Sequence, residues 1–151
     1  MKVVKGDLIK MAKNGDFDVI IHGCNCFCEM GAGIAKSIKE NFPEAYNADL
    51  STEKGTKEKL GTYSSATISI NGKILTVVNA YTQHHWRGTA VKANYEAIKK
   101  VMNQVKNDFS GSRIGYPKIG AGLAGGDWEI ISQIINSALS GEDHTLVEYV
   151  P

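Results

Sequence analysis

Four glycines fall within seven residues, Gly120 to Gly126, between the strand-like segment Arg113 to Tyr116 and an amphipathic stretch from Asp127 to Leu139. A loop so poor in side chains brings backbone amides close to whatever approaches it, at the entrance of a helix. A second loop of the same kind, Met30 to Ala35, lies between the apolar run Phe17 to Gly23 and a helical stretch from Ile34 to Glu40. Neither loop has the Gly-Lys-Ser/Thr ending of a Walker A motif or the spacing of a Rossmann fingerprint. Together they suit a clamp of main-chain donors around a diphosphate.

The surrounding pattern sets the fold class. Phe17 to Gly23 is rich in β-branched residues and nearly continuous in hydrophobicity, which predicts a strand buried on both faces. Met1 to Lys5, Arg113 to Tyr116 and His144 to Val150 are further strand candidates, and Gly61 to Ile70 with Lys73 to Ala80 read as a hairpin about Asn71-Gly72. Helices are expected after Asp7 as far as Asn14-Gly15, across Pro43 to Leu50, and from Thr89 to Phe109, where Val91, Tyr95, Ile98, Val101, Met102 and Val105 form one stripe. Ser51 to Lys59 reads as a polar surface loop. Helices interleaved with strands predict an α/β chain of three layers, α/β/α, around a mixed and mostly parallel sheet, with residues 1 to 151 as one domain.

Charge narrows the partners. Seventeen Lys and Arg against 16 Asp and Glu leave a formal charge of +1, too little to draw the whole surface onto nucleic acid or an anionic membrane. No apolar run reaches the length of a membrane span, so a cytoplasmic monomer is the expectation. Cys24, Cys26 and Cys28 alternate beside His22, and an extended chain sends Cys26 away from the other two. Reduced thiols are therefore expected, with no metal and no cofactor.

Gly6-Asp7-Leu8, His22-Gly-Cys-Asn25, Met30-Gly-Ala-Gly-Ile-Ala35 and Pro117-Lys-Ile-Gly-Ala-Gly122 occur in the order found in macrodomains, which the chain resembles over essentially its whole length. The resemblance is to the branch of ADP-ribose-1''-phosphate phosphatases and the terminal ADP-ribose glycohydrolase. It implies that Asp7 and the Leu8 amide meet adenine and that Tyr149 packs on it. By the same resemblance Asn25 contacts the distal ribose. Met30, Gly31, Ala32, Gly33 and Ile34, with Gly120, Ala121, Gly122 and Leu123, would hold the diphosphate.

The catalytic candidates are His22, Asp127 and His84, with His85 beside it and Arg87 as a partner for a terminal phosphate. Each has a plainer role open to it: a strand-end hydrogen bond for His22, a helix cap for Asp127, a solvated loop for the others. The resembling glycohydrolases carry a lysine where this chain has Gln83 and an aspartate where it has Ala124. The expected activity is hydrolysis of ADP-ribose-1''-phosphate. Cleavage of ADP-ribosyl esters on protein, deacetylation of O-acetyl-ADP-ribose, and simple ADP-ribose reading are the alternatives.

Overall fold

The computed structural model describes residues 1 to 86 and 91 to 151, so the expectations for Arg87 and for Thr89 as a helix start lie outside the described residues. The strands are β1 (Lys2–Gly6), β2 (Val19–Asn25), β3 (Tyr63–Ile70), β4 (Lys73–Gln83), β5 (Arg113–Tyr116) and β6 (Asp143–Tyr149). The helices are α1 (Leu8–Lys13), α2 (Gly33–Asn41), α3 (Pro43–Leu50), α4 (Tyr95–Phe109) and α5 (Trp128–Ala138). The six strands form one sheet in the order β1-β6-β5-β2-β4-β3. Every neighbouring pair is parallel except β3 and β4, which makes the sheet mixed as expected.

Strand β2 is flanked by β5 and β4, and its alternation feeds two separate cores. Val19 and Ile21 pack with Ile98, Val101, Met102 and Val105 of α4 and Ile131 and Ile135 of α5. Ile20 faces the other way, among Leu8 and Ile9 of α1, Ile38 of α2 and Ala45 of α3. Period-two burial against helices on both faces is what makes Val19, Ile20 and Ile21 a continuous apolar run. The hairpin turns at Asn71 (φ 50°) and Gly72 (φ 78°), the two left-handed residues of a type I′ turn.

One boundary is corrected. The stripe from Val91 predicts a helix that begins early, but α4 starts at Tyr95, where the Asn94 side chain accepts from the Ala97 amide at 2.9 Å. Val91 is 61% exposed. The Lys92 amide donates instead to the Ala124 carbonyl at 2.8 Å, tying this segment to the second glycine loop. A side-chain cap plus a competing tertiary bond overrides the apolar spacing. Within the Ser51 to Lys59 loop, Lys57–Lys59 forms a single 3-10 turn. No helix among the described residues is long and apolar enough to cross a membrane.

Candidate functional site

A cleft of about 820 Å³ opens at the carboxyl ends of the parallel strands. One wall is the first glycine loop, Glu29 and Gly31 to Ala35, and the opposite wall is the second, Pro117 to Ala124. Gly23, Cys24, Asn25, Thr82 and Gln83 line it from the ends of β2 and β4, Val147 to Tyr149 from β6, while Trp86 and Lys92 complete the lining. In a parallel sheet this is where loops deliver helix N-termini, and with them free amides and positive dipoles.

The helix ends show which amides are free. α1, α4 and α5 each carry a side-chain cap, from Asp7, Asn94 and Asp127, and α3 opens with a proline that has no amide to satisfy. α2 begins at Gly33 after Ala32, with no side-chain cap, and its first turn lines the cleft. Uncapped donors at the start of a helix are an anion site in waiting. Across from it, Gly120 has φ 74°, and a Cβ there would sit 3.1 Å from Ile131, 3.2 Å from Ala93 and 3.3 Å from Ile98. The second loop is therefore held close over the α4 and α5 core, and only glycine fits at its start.

Most expected ligand contacts fall on or beside these walls. Asn25, Gly31, Ala32, Gly33, Ile34, Gly120, Ala121, Gly122 and Leu123 all line the cleft, as does Tyr149, which is 71% exposed. Asn25 is also committed to the loop it starts: its Oδ1 accepts from the amides of Phe27 (2.9 Å) and Glu29 (3.3 Å), and its Nδ2 donates to the Glu29 carbonyl (2.8 Å). Met30 and Leu8 turn their side chains into the α1 to α3 core, which leaves only their backbone for a ligand. Asp7 accepts from the Lys10 amide at 3.1 Å as the α1 cap. Neither Asp7 nor Leu8 lines the cleft, though Gly6 before them pairs with Tyr149.

The candidate catalytic groups are placed elsewhere. His22 is fully buried and absent from the cleft lining. Its Nε2 donates to Asn79 Oδ1 at 2.7 Å, and Asn79 Nδ2 donates to Ser64 Oγ at 3.0 Å. Ser64 Oγ lies 2.7 Å from Tyr81 OH, which donates to Asp49 Oδ1 at 2.7 Å. The result is a directed polar chain from β2 to α3. Burial holds the His22 pKa down at about 4, so the ring is neutral at pH 7.

Asp127 is exposed, accepts from the Glu129 amide at 2.9 Å and caps α5 away from the lining. His84 Nε2 donates to the Gly55 carbonyl at 2.9 Å and its ring stands edge-on to Phe27. His85 stacks on Trp86 with centroids 4.5 Å apart. Residue type and spacing nominate these groups, but the side of the strand or helix end on which each falls takes them off the wall.

The three thiols are buried and unpaired by disulfides. Burial raises the pKa values of Cys24 and Cys26 and keeps both protonated. Cys28 Sγ donates to the Asp49 carbonyl at 3.2 Å. Among the described residues no group of three or more His, Cys, Asp or Glu is placed to hold a metal. Lining residues that sequence reasoning does not single out include Glu29, Thr82, Trp86, Lys92 and Lys118; the places of Glu29 just before the first glycine loop and of Lys118 in the second could have pointed to those two.

Comparison with known proteins adds to this geometry. The Macro domain family model matches residues 21 to 135. An uncharacterized 17.5 kDa protein of Enterobacteria phage T4 is 33% identical over 157 residues, covering 100% of this chain and 97% of the phage protein. A DNA ADP-ribosyl glycohydrolase of Mycobacterium tuberculosis is 28% identical over 88% of this chain, which spans only 37% of that protein. An ADP-ribose 1''-phosphate phosphatase of Debaryomyces hansenii is 27% identical, covering 90% of this chain and 92% of the yeast protein. The macrodomain of Mycobacterium tuberculosis DarG shares the fold, with a TM-score of 0.71 at 23% identity over 99% of this chain and 97% of that one.

Proposed function

Because the chain belongs to the Macro domain family, we propose that its cleft binds ADP-ribose and that the protein releases phosphate from ADP-ribose-1''-phosphate. The observation that carries the binding half is the uncapped N-terminus of α2 facing the glycine loop of residues 120 to 124. In this reading the diphosphate lies between those amides, and adenine packs on exposed Tyr149. The distal ribose then reaches Asn25 and Gln83, where the 1''-phosphate is attacked by water; the P–O bond to the ribose breaks and ADP-ribose leaves.

The phosphatase half is supported by the yeast phosphatase, whose similarity runs over nearly the whole of both chains. In this reading Glu29, which lines the cleft and whose backbone carbonyl accepts from Asn25 Nδ2, would supply the carboxylate that orients that water, and Gln83, whose Nε2 donates to the His85 carbonyl, would supply a neutral amide oxygen. His22 then serves by holding β2 and β4 together, Asp127 by capping α5.

A second reading, cleavage of an ADP-ribosyl bond, is favoured by the mycobacterial glycohydrolase. Gln83 has no amine with which to form a covalent adduct, so such cleavage would proceed by direct attack of water. A turnover panel separates the two: ADP-ribose-1''-phosphate, O-acetyl-ADP-ribose and mono-ADP-ribosylated protein are each incubated with pure protein. Phosphate release from the first is expected. Tight ADP-ribose binding with no turnover of any of them would overturn the enzymatic half and leave a reader.

A further inference from the structure

Two buried side-chain oxygens among the described residues have no hydrogen-bond partner, Asp49 Oδ2 and Thr82 Oγ1. Asp49 ends the polar chain away from the cleft. Thr82 is one of the residues lining it, although its side chain is wholly closed to bulk water. An unmade hydrogen bond in the interior is costly, and chains rarely keep one without a use for it. The Thr82 backbone is engaged, its carbonyl accepting from the Asn94 amide at 2.8 Å, whereas its hydroxyl makes no hydrogen bond.

The ladder marks the same residue. Between β2 and β4 the register runs Cys24 with Tyr81 and then Asn25 with Gln83, leaving Thr82 as the extra residue of a bulge. Its hydroxyl lies against Gly23, beneath the start of the second loop: a Cβ on Gly23 would be 2.7 Å from Thr82 Oγ1 and 3.9 Å from the Gly120 nitrogen. Across the sheet, Tyr149 on β6 and Thr82 on β4 are three strand steps apart. At about 4.8 Å per step that is roughly 14 Å, which sets Thr82 across the cleft from the residue proposed to meet adenine.

Resting on the ADP-ribose reading of the cleft, we infer that the Thr82 hydroxyl is a hydrogen-bonding partner of the distal ribose, beside Asn25 and Gln83, and so helps to separate ADP-ribose from ADP. Reaching it takes a small shift of the segment at Gly120, which a seated ribose would favour.

Calorimetric titration of ADP-ribose and of ADP into wild type, Thr82→Val and Thr82→Ser tests this, with melting curves for each protein. Thr82→Val is expected to lose about tenfold in ADP-ribose affinity, little in ADP affinity, and to melt no lower than wild type. Thr82→Ser should bind like wild type. Equal losses for both ligands, no loss at all, or a Thr82→Val protein that melts several degrees lower would each overturn the inference. Wild type that does not bind ADP-ribose would instead overturn the reading of the cleft on which the inference rests.

Discussion

A histidine at the end of a central strand draws attention as a catalyst, yet His22 is neutral, sealed and one link in a hydrogen-bonded chain. Its depressed pKa fixes the sign of a pH effect. The unfolded ring titrates near 6.5 and the folded one near 4, so the unfolded state binds the proton first. Stability from this group is complete above about pH 6.5 and drains away as the pH falls toward 4, by about 3 kcal/mol in all. Denaturant unfolding of wild type and His22→Gln at a series of pH values should show that extra acid sensitivity in wild type alone; parallel curves would refute the assignment. The glycine-loop residues singled out from the sequence are ones that line the cleft and can offer main-chain donors. A Gly-Ala-Gly before a helix specifies its geometry locally, whereas the direction of a His or Asp side chain depends on neighbours far along the chain, as with His22 and Asn79.

At the scale of elements, the strands and most helices were legible because burial imposes the periodicity: the Val19 to Ile21 stretch of β2 feeds two cores, so it is apolar at successive steps. The start of α4 was not, since the Val91 side chain continues the apolar stripe while the Lys92 amide answers to Ala124. At the start of α5 the Asp127 side chain serves as a helix cap. Asp127→Ala should cost about 1 kcal/mol of stability through the lost cap and leave ADP-ribose affinity unchanged. A hundredfold fall in turnover with stability intact would return Asp127 to the catalytic set. Gly120→Ala is expected to be more severe, because a left-handed non-glycine residue costs about 1 to 3 kcal/mol before any crowding by Ile131, Ala93 and Ile98 is added. Thermal melting with a parallel ADP-ribose titration would reveal both effects.

For the whole molecule, near-zero net charge means that, on the proposed reading, affinity for an anionic ligand would rest on local donors at the cleft. ADP-ribose binding should therefore depend weakly on salt. An adenosine-rich RNA should bind negligibly, whereas a protein that holds nucleic acid through many phosphate contacts loses orders of magnitude in affinity as salt rises. A steep salt slope would point to a polyanionic partner. The covering of β2 and β4 on both faces also bears on time as well as on energy. Amides in those strands should exchange with deuterated solvent only when the whole chain opens, while those of the two glycine loops exchange by small local excursions. Each molecule thus carries a slow clock next to a fast one, and slowing of the fast one against the slow would record the footprint of whatever settles between the loops.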